Sequence, residues 1–252
     1  MNTIYILWLR QLKRHFRSRS RMIGSLGQPL LFLVALGFGF GPIYQRAGGG
    51  NYLQFLGPGI IAMSILFTAM FGGMETIWDR QFGFLKETLV APVSRLNIMI
   101  GRTLGGATVA VFQGIFVLLI SLFVGFRPNW LYSPLALVFM AMIAILFTAF
   151  GTAIASVMED MHAFSLIMNF IVMPLFFLSG AIFPLTGLPA AIRSVIAANP
   201  LTYGVDGLRV TLTAAAQTNI IQSGLINDFL VMFAFAAVLL AIGSYLFSKV
   251  QV

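Results

Sequence analysis

The chain of 252 residues is 59% hydrophobic, with 25 Phe and 13 Met, and only 9% charged. Soluble domains run about 45–50% apolar and about 25% charged, so a soluble enzyme or a nucleic-acid binder is excluded despite a net charge of +8, and a membrane is the expected solvent. With no cysteine and two histidines, disulfide, thiolate and multi-histidine metal chemistry are closed, and no catalytic or metal-ligating residue is nominated.

Residues 1–21 come first. Tyr5, Trp8, Leu9, Leu12 and Phe16 recur at helical spacing, and Arg10, Lys13, Arg14, Arg17 and Arg21 repeat that spacing on another face. The pattern predicts an amphipathic helix lying on the inner membrane surface. Its basic residues, Arg10, Lys13, Arg14 and Arg17, serve either as a topology signal drawn to anionic lipid or as a docking face for a cytoplasmic partner.

Charges then divide the chain. An Arg, Lys or Asp at a helix centre costs roughly 2.5–3.5 kcal/mol on insertion, so membrane spans fall between charges. Six uncharged intervals of 20 to 32 residues are each long enough for one helix of about 20 residues, and spans are predicted at 23–43, 55–74, 103–126, 134–158, 163–183 and 229–248. The fold class is therefore an all-α membrane protein of six transmembrane helices in one domain, 1–252. With the N-terminus inside, eleven basic residues are cytoplasmic, against Arg46, Arg127, Arg193 and Arg209 outside. This bias puts both termini in the cytoplasm.

Between the second and third spans, 75–102 is the most charged internal segment. Phe82, Leu85 and Leu89 share one helical face and Pro92 breaks the helix, which predicts a short cytoplasmic helix, either solvated or partner-binding. After the fifth span, 184–228 is too apolar to float free. Leu188, Ile192, Val195 and Ile196 form a stripe, Asn199-Pro200 ends it, and a second short helix carries Tyr203, Asp206 and Arg209, the last two one turn apart as an ion pair. Polar residues from 210 to 227 predict an external connection. Gly101 and Gly105 have the spacing that admits a close helix, from this chain or from a second subunit.

No Asp, Glu, Lys or Arg lies near the centre of a predicted span, so an ion relay lacks its parts. His162 and Ser179 sit roughly 25 Å apart along the fifth span, too far for a catalytic pair. The chain has no G-x-x-x-x-G-K-[ST] loop and is not itself a P-loop ATPase.

Two segments carry a family resemblance over nearly the whole chain. One runs from Asp79 to Arg95, with Arg80, Gly83, Lys86, Glu87, Leu89, Pro92 and Ser94 in order; the other comprises Phe177 to Pro184, Leu188-Pro189 and Asn199-Pro200 through Tyr203 and Asp206 to Arg209. They resemble the membrane-spanning subunits of the second class of ATP-binding-cassette exporters. The resemblance implies that the first segment is a coupling helix inserted into an ATP-binding subunit, with Asp79, Arg80, Lys86, Glu87, Pro92 and Arg95 at the contact. Phe82 to Phe84 is more apolar than the charged form common in the family.

It also implies an N-terminal interfacial helix beside that subunit, external re-entrant helices in 184–228, and pairing with a second copy or homologue. ATP and magnesium would bind in the partner subunit, with no cofactor in this chain. Family substrates are amphipathic drugs, lipids or lipid-linked glycans exported across an inner (plasma) membrane, and the Phe- and Met-rich composition suits such a path. An ion-coupled carrier or a channel is the rival function.

Overall fold

The computed structural model describes residues 2–84, 93–185, 189–213 and 224–248. Among them regular structure is helical: α1 (Asn2–Arg17), α2 (Arg19–Arg46), α3 (Tyr52–Gly72), α4 (Met74–Gln81), α5 (Arg95–Val124), α6 (Ser133–Val157), α7 (Met161–Phe177), α8 (Ala190–Ala197), α9 (Pro200–Thr213) and α10 (Leu225–Ser248). A short 3-10 turn, Trp130–Tyr132, leads into α6. Local chemistry sets several ends. The side chains of Asn51, Ser94 and Asp160 accept hydrogen bonds from the amides of Leu53, Asn97 and His162, capping α3, α5 and α7. Gly125, in the left-handed region at φ +110°, closes α5.

The core sits around α3, which is buried on every side from Phe55 to Leu66. A helix apolar all round belongs inside a bundle. Here α2, α5, α6 and α9 surround it, α7 touches it more lightly, and α10 packs on α6 and α9.

Among the described residues, five helical stretches are long and apolar enough to cross a membrane: Met22–Arg46, Tyr52–Gln81, Arg95–Val124, Trp130–Val157 and Leu225–Leu246. The expected fifth span, 163–183, departs from this. Its helix α7 has 17 residues, about 25 Å at 1.5 Å per residue, against a hydrocarbon core of about 30 Å. The chain then turns at Gly180, φ +76°, and folds back onto α3 at Gly59, where a Cβ would collide with the Ala181 carbonyl. Tertiary packing against a glycine, invisible to a hydropathy count, ends the helix early.

Other boundaries shift for similar reasons. Helix α5 begins at Arg95, not 103, and carries Arg102 inside it; α10 begins at Leu225 and buries Asp228 completely. The connection expected at 210–227 is helical through Thr213, and 214–223 lie outside the described residues. The two short helices expected in 184–228 are present as α8 and α9. The stripe on α8 does not pack as a unit, since Ile196 is buried whereas Ile192 and Val195 are exposed, and Leu188 is not among the described residues.

Helix α1 lies along α5 with Gly101 and Gly105 beneath it. A Cβ at Gly101 would stand 3.1 Å from Leu7 and 3.2 Å from the Ile4 backbone, and one at Gly105 would stand 2.6 Å from Gln11. The small-residue pair therefore receives a helix of its own chain. Trp8 secures the contact, its indole N–H donating to Thr108 Oγ1 at 3.0 Å.

Candidate functional site

At the end of the bundle where α1 meets α4, three helices converge on one carboxylate. Arg10 of α1 grips Asp79 of α4 through two hydrogen bonds, Nη2 to Oδ1 at 2.7 Å and Nη1 to Oδ2 at 3.1 Å. From α5, Arg102 donates to Asp79 Oδ2 at 2.7 Å and to Thr76 Oγ1 at 3.0 Å. The Asp79 and Arg102 side chains are 5% and 3% exposed, so this is a buried ion pair whose partners depend on each other. Arg14 adds longer contacts to Asp79, 3.7 Å, and Glu75, 4.0 Å, and its guanidinium lies 4.9 Å from the centre of the Trp78 ring.

The same short helix is tied to a third span. The Arg80 guanidinium donates to the carbonyls of Ser156 and Met158 at the exit of α6, and Gln81 donates to the Glu159 carbonyl at 3.0 Å. Carbonyls at a helix end have no partner of their own and favour positive charge, which explains why an arginine docks there. Beyond Gln81 the chain turns at Gly83, φ +81°, with Phe82 and Phe84 exposed. Arg10 stacks over Phe84 at 5.4 Å. The segment that resembles a coupling helix thus leaves from a junction welded to α1, α5 and α6.

Four of the residues expected at a lipid surface or at a contact with another subunit have partners within the chain. Of the residues expected at the contact with another subunit, Asp79 is buried and ion-paired, and Arg80 is partly buried on the α6 exit. Of the basic residues of α1 expected to face headgroups or a partner, Arg10 and Arg14 are partly exposed and lean on the Glu75 and Asp79 carboxylates, one helical turn apart, while Lys13 and Arg17 are exposed. Arg95 opens α5 and is partly buried. Lys86, Glu87 and Pro92 lie outside the described residues.

Arg102, at the end of the charged segment 75–102, is not among the site residues expected from the sequence. No spacing in the sequence pointed to it, since its partners Thr76 and Asp79 lie 26 and 23 residues away on another helix.

At the opposite end, Asn199, Asp206 and Arg209 belong to a second buried polar set. Asn199 caps α9 by accepting from the Leu201 amide at 3.0 Å, and donates to the Leu175 carbonyl of α7 at 2.7 Å. Pro200 opens α9, and the Tyr203 hydroxyl donates to the Ala197 carbonyl at 2.9 Å. Arg209 donates to the Gly180 carbonyl at 2.8 Å and lies 4.0 Å from the Phe55 ring centre. Asp206, one turn before it, is buried, and Pro184 is exposed. Arg209 therefore pins the turn after α7 to α3, joining residues that the sequence signature held apart.

The chain is similar to known membrane transport proteins. Residues 2–213 match the family model described as ABC-2 type transporter. The chain is 26% identical over 220 residues to nodulation protein J of Rhizobium leguminosarum bv. viciae, covering 84% of this chain and 85% of that protein. It is 30% identical over 210 residues to the inner membrane transport permease YadH of Escherichia coli (strain K12), covering 81% of this chain and 80% of that protein.

Proposed function

Because the chain belongs to the ABC-2 type transporter family and is a transport permease of an ABC transporter, we propose that it is the membrane subunit of an ATP-driven exporter. The residues from Phe82 to Ser94 act as the lever that a separate ATP-binding subunit moves. The observation that carries this reading is the junction at Asp79: a push on the lever's root reaches α1 through Arg10, α5 through Arg102 and α6 through Arg80 at once. A load-transmitting joint should be buried and ion-paired in this way, since partial separation of Asp79 from Arg102 is strongly opposed.

In this reading the α4 end is cytoplasmic and lies in an inner membrane, as the arginine distribution and the name of the Escherichia coli relative support. Six crossings then require α7 to complete the fifth, with the turn at Gly180 and the buried α9 filling the outer leaflet where α7 is short. Backbone in that position must be satisfied by protein, and Arg209 and Asn199 supply donors to the Gly180 and Leu175 carbonyls. A second copy would complete the path for an amphipathic drug, lipid or lipid-linked glycan, and ATP with magnesium would be held by the motor subunit.

The test is co-purification with an ATP-binding-cassette subunit. The complex should form with the unaltered chain, and Glu87→Lys with Arg95→Glu should lower its yield at least about tenfold, the weight of one or two charge-assisted contacts. An undiminished complex, or none from the unaltered chain, removes the lever assignment.

A further inference from the structure

The two halves of α2 meet the bundle differently. Beyond Pro29 the helix packs closely on α3: Leu33 is fully buried, a Cβ at Gly37 would collide with Leu53, and the Tyr44 ring centre lies 5.1 Å from that of Tyr52. Before Pro29 it stands off. Ile23 is 72% exposed, Gly24, Gly27 and Gln28 are exposed, and a Cβ at either glycine would meet nothing within 4 Å. Leu26 is the apolar side chain of this stretch that reaches the core. The gap is a cavity of about 430 Å³, to which α2 contributes Ser25, Gln28 and Pro29, and α3 contributes Met63, Phe67 and Thr68.

The sequence accounts for the division. Pro29 lies inside the helix, where it has no N–H to donate to the Ser25 carbonyl and its ring crowds that group, so the rod bends more readily there than in the turns on either side. The polar attachment is slight as well. Among the described side chains of 19–28, one hydrogen bond crosses to another helix, from the Ser25 hydroxyl to the Gln113 amide oxygen on α5 at 3.1 Å. Such a bond shifts an equilibrium by about two- to tenfold.

The far end of this stretch adjoins α1. Ser18 alone separates Arg17 from Arg19, and its side chain makes no capping bond. Helix α1 is bonded in turn to α4, through Arg10 and Asp79. A displacement of α4 is therefore delivered to the loosely held half of α2. A gap between helices forfeits the dispersion contacts that its walls would make, so a segment turning into the gap gains packing while giving up one hydrogen bond.

We propose that residues 19–28 form a hinged flap, which swings about Pro29 to close on Phe67 and Thr68 of α3, with the Ser25–Gln113 hydrogen bond as the latch of the open arrangement. The device belongs to this chain alone and stands whether or not Phe82 to Ser94 serves as a lever.

Because the chain has no cysteine, paired thiols report the motion without background. Gln28→Cys with Thr68→Cys, in the purified chain in phosphatidylcholine nanodiscs under a copper–phenanthroline oxidant, should form a disulfide, a bond made only while the two Cα atoms stand within about 7 Å. Adding Ser25→Ala, which removes the latch, should raise the rate about two- to tenfold. Adding Pro29→Ala, which restores the backbone bond and stiffens the helix, should lower it at least about fivefold. The pair Gly37→Cys with Leu53→Cys, in the packed half, serves as the control for folding and should link at one rate in all three backgrounds. No disulfide between positions 28 and 68, a rate left unchanged or moved the opposite way by either substitution, or a control pair that changes in step with the first would each overturn the flap.

Discussion

Asp79 is the residue on which the inner junction turns. Its carboxylate holds two arginines from opposite directions, and one of them, Arg102, has almost no contact with solvent. Removing the acid strands that cation, so Asp79→Ala is expected to cost about 3–5 kcal/mol. Replacing the buried pair together, Asp79→Leu with Arg102→Met, should cost less than Asp79→Ala alone, because the one cation left without its acid, Arg10, is partly exposed to solvent. Lys13→Ala, at an exposed position of α1, should stay within about 0.5 kcal/mol. Unfolding of the detergent-purified variants measures all three. A double replacement as damaging as the sum of its two singles would mean that Asp79 and Arg102 are not energetically coupled.

At the scale of elements, α1 shows how one helix acquires two roles. Its amphipathic pattern suits a membrane surface, yet the glycine pair on α5 and the arginines facing α4 hold it against the bundle. Gly101→Leu would drive a side chain into Leu7 and the Ile4 backbone, which cannot yield as the flexible end of Gln11 can at Gly105. Amide exchange over residues 2–17 should accelerate at least about tenfold in Gly101→Leu, with α3 unchanged, as local release of one helix requires. Uniform acceleration across the bundle would instead mean that α1 supports the whole fold. Helix α7 makes the opposite case: its composition suits a span, but its length was decided by Gly59, Gly180 and Arg209, residues of three separate segments.

For the whole molecule, the decisive property is which end faces the cytoplasm. The absence of cysteine makes each introduced thiol a clean reporter. With single cysteines at Arg46 or Arg127, a membrane-impermeant maleimide should label intact cells. Cysteines at Ser20 or Arg95 should remain protected until the membrane is opened. The reverse pattern would invert the orientation and put the ionic junction outside, where no ATP-binding subunit could reach it.

Much of this architecture was legible from residue order alone. Apolar runs bounded by charge locate the long helices, since the hydrophobic requirement of a bilayer acts residue by residue along the chain. The absence of a phosphate loop and the two family-like segments were legible in the same way. Tertiary structure decided the rest. Asp79 finds Arg10 across 69 residues and Arg102 across 23, and Arg209 finds Gly180 across 29; no periodicity encodes such pairings, because they depend on how helices pack. Hence Asp79, expected among the contacts with another protein, has partners that only packing could choose: burying a charge is tolerable only beside its opposite.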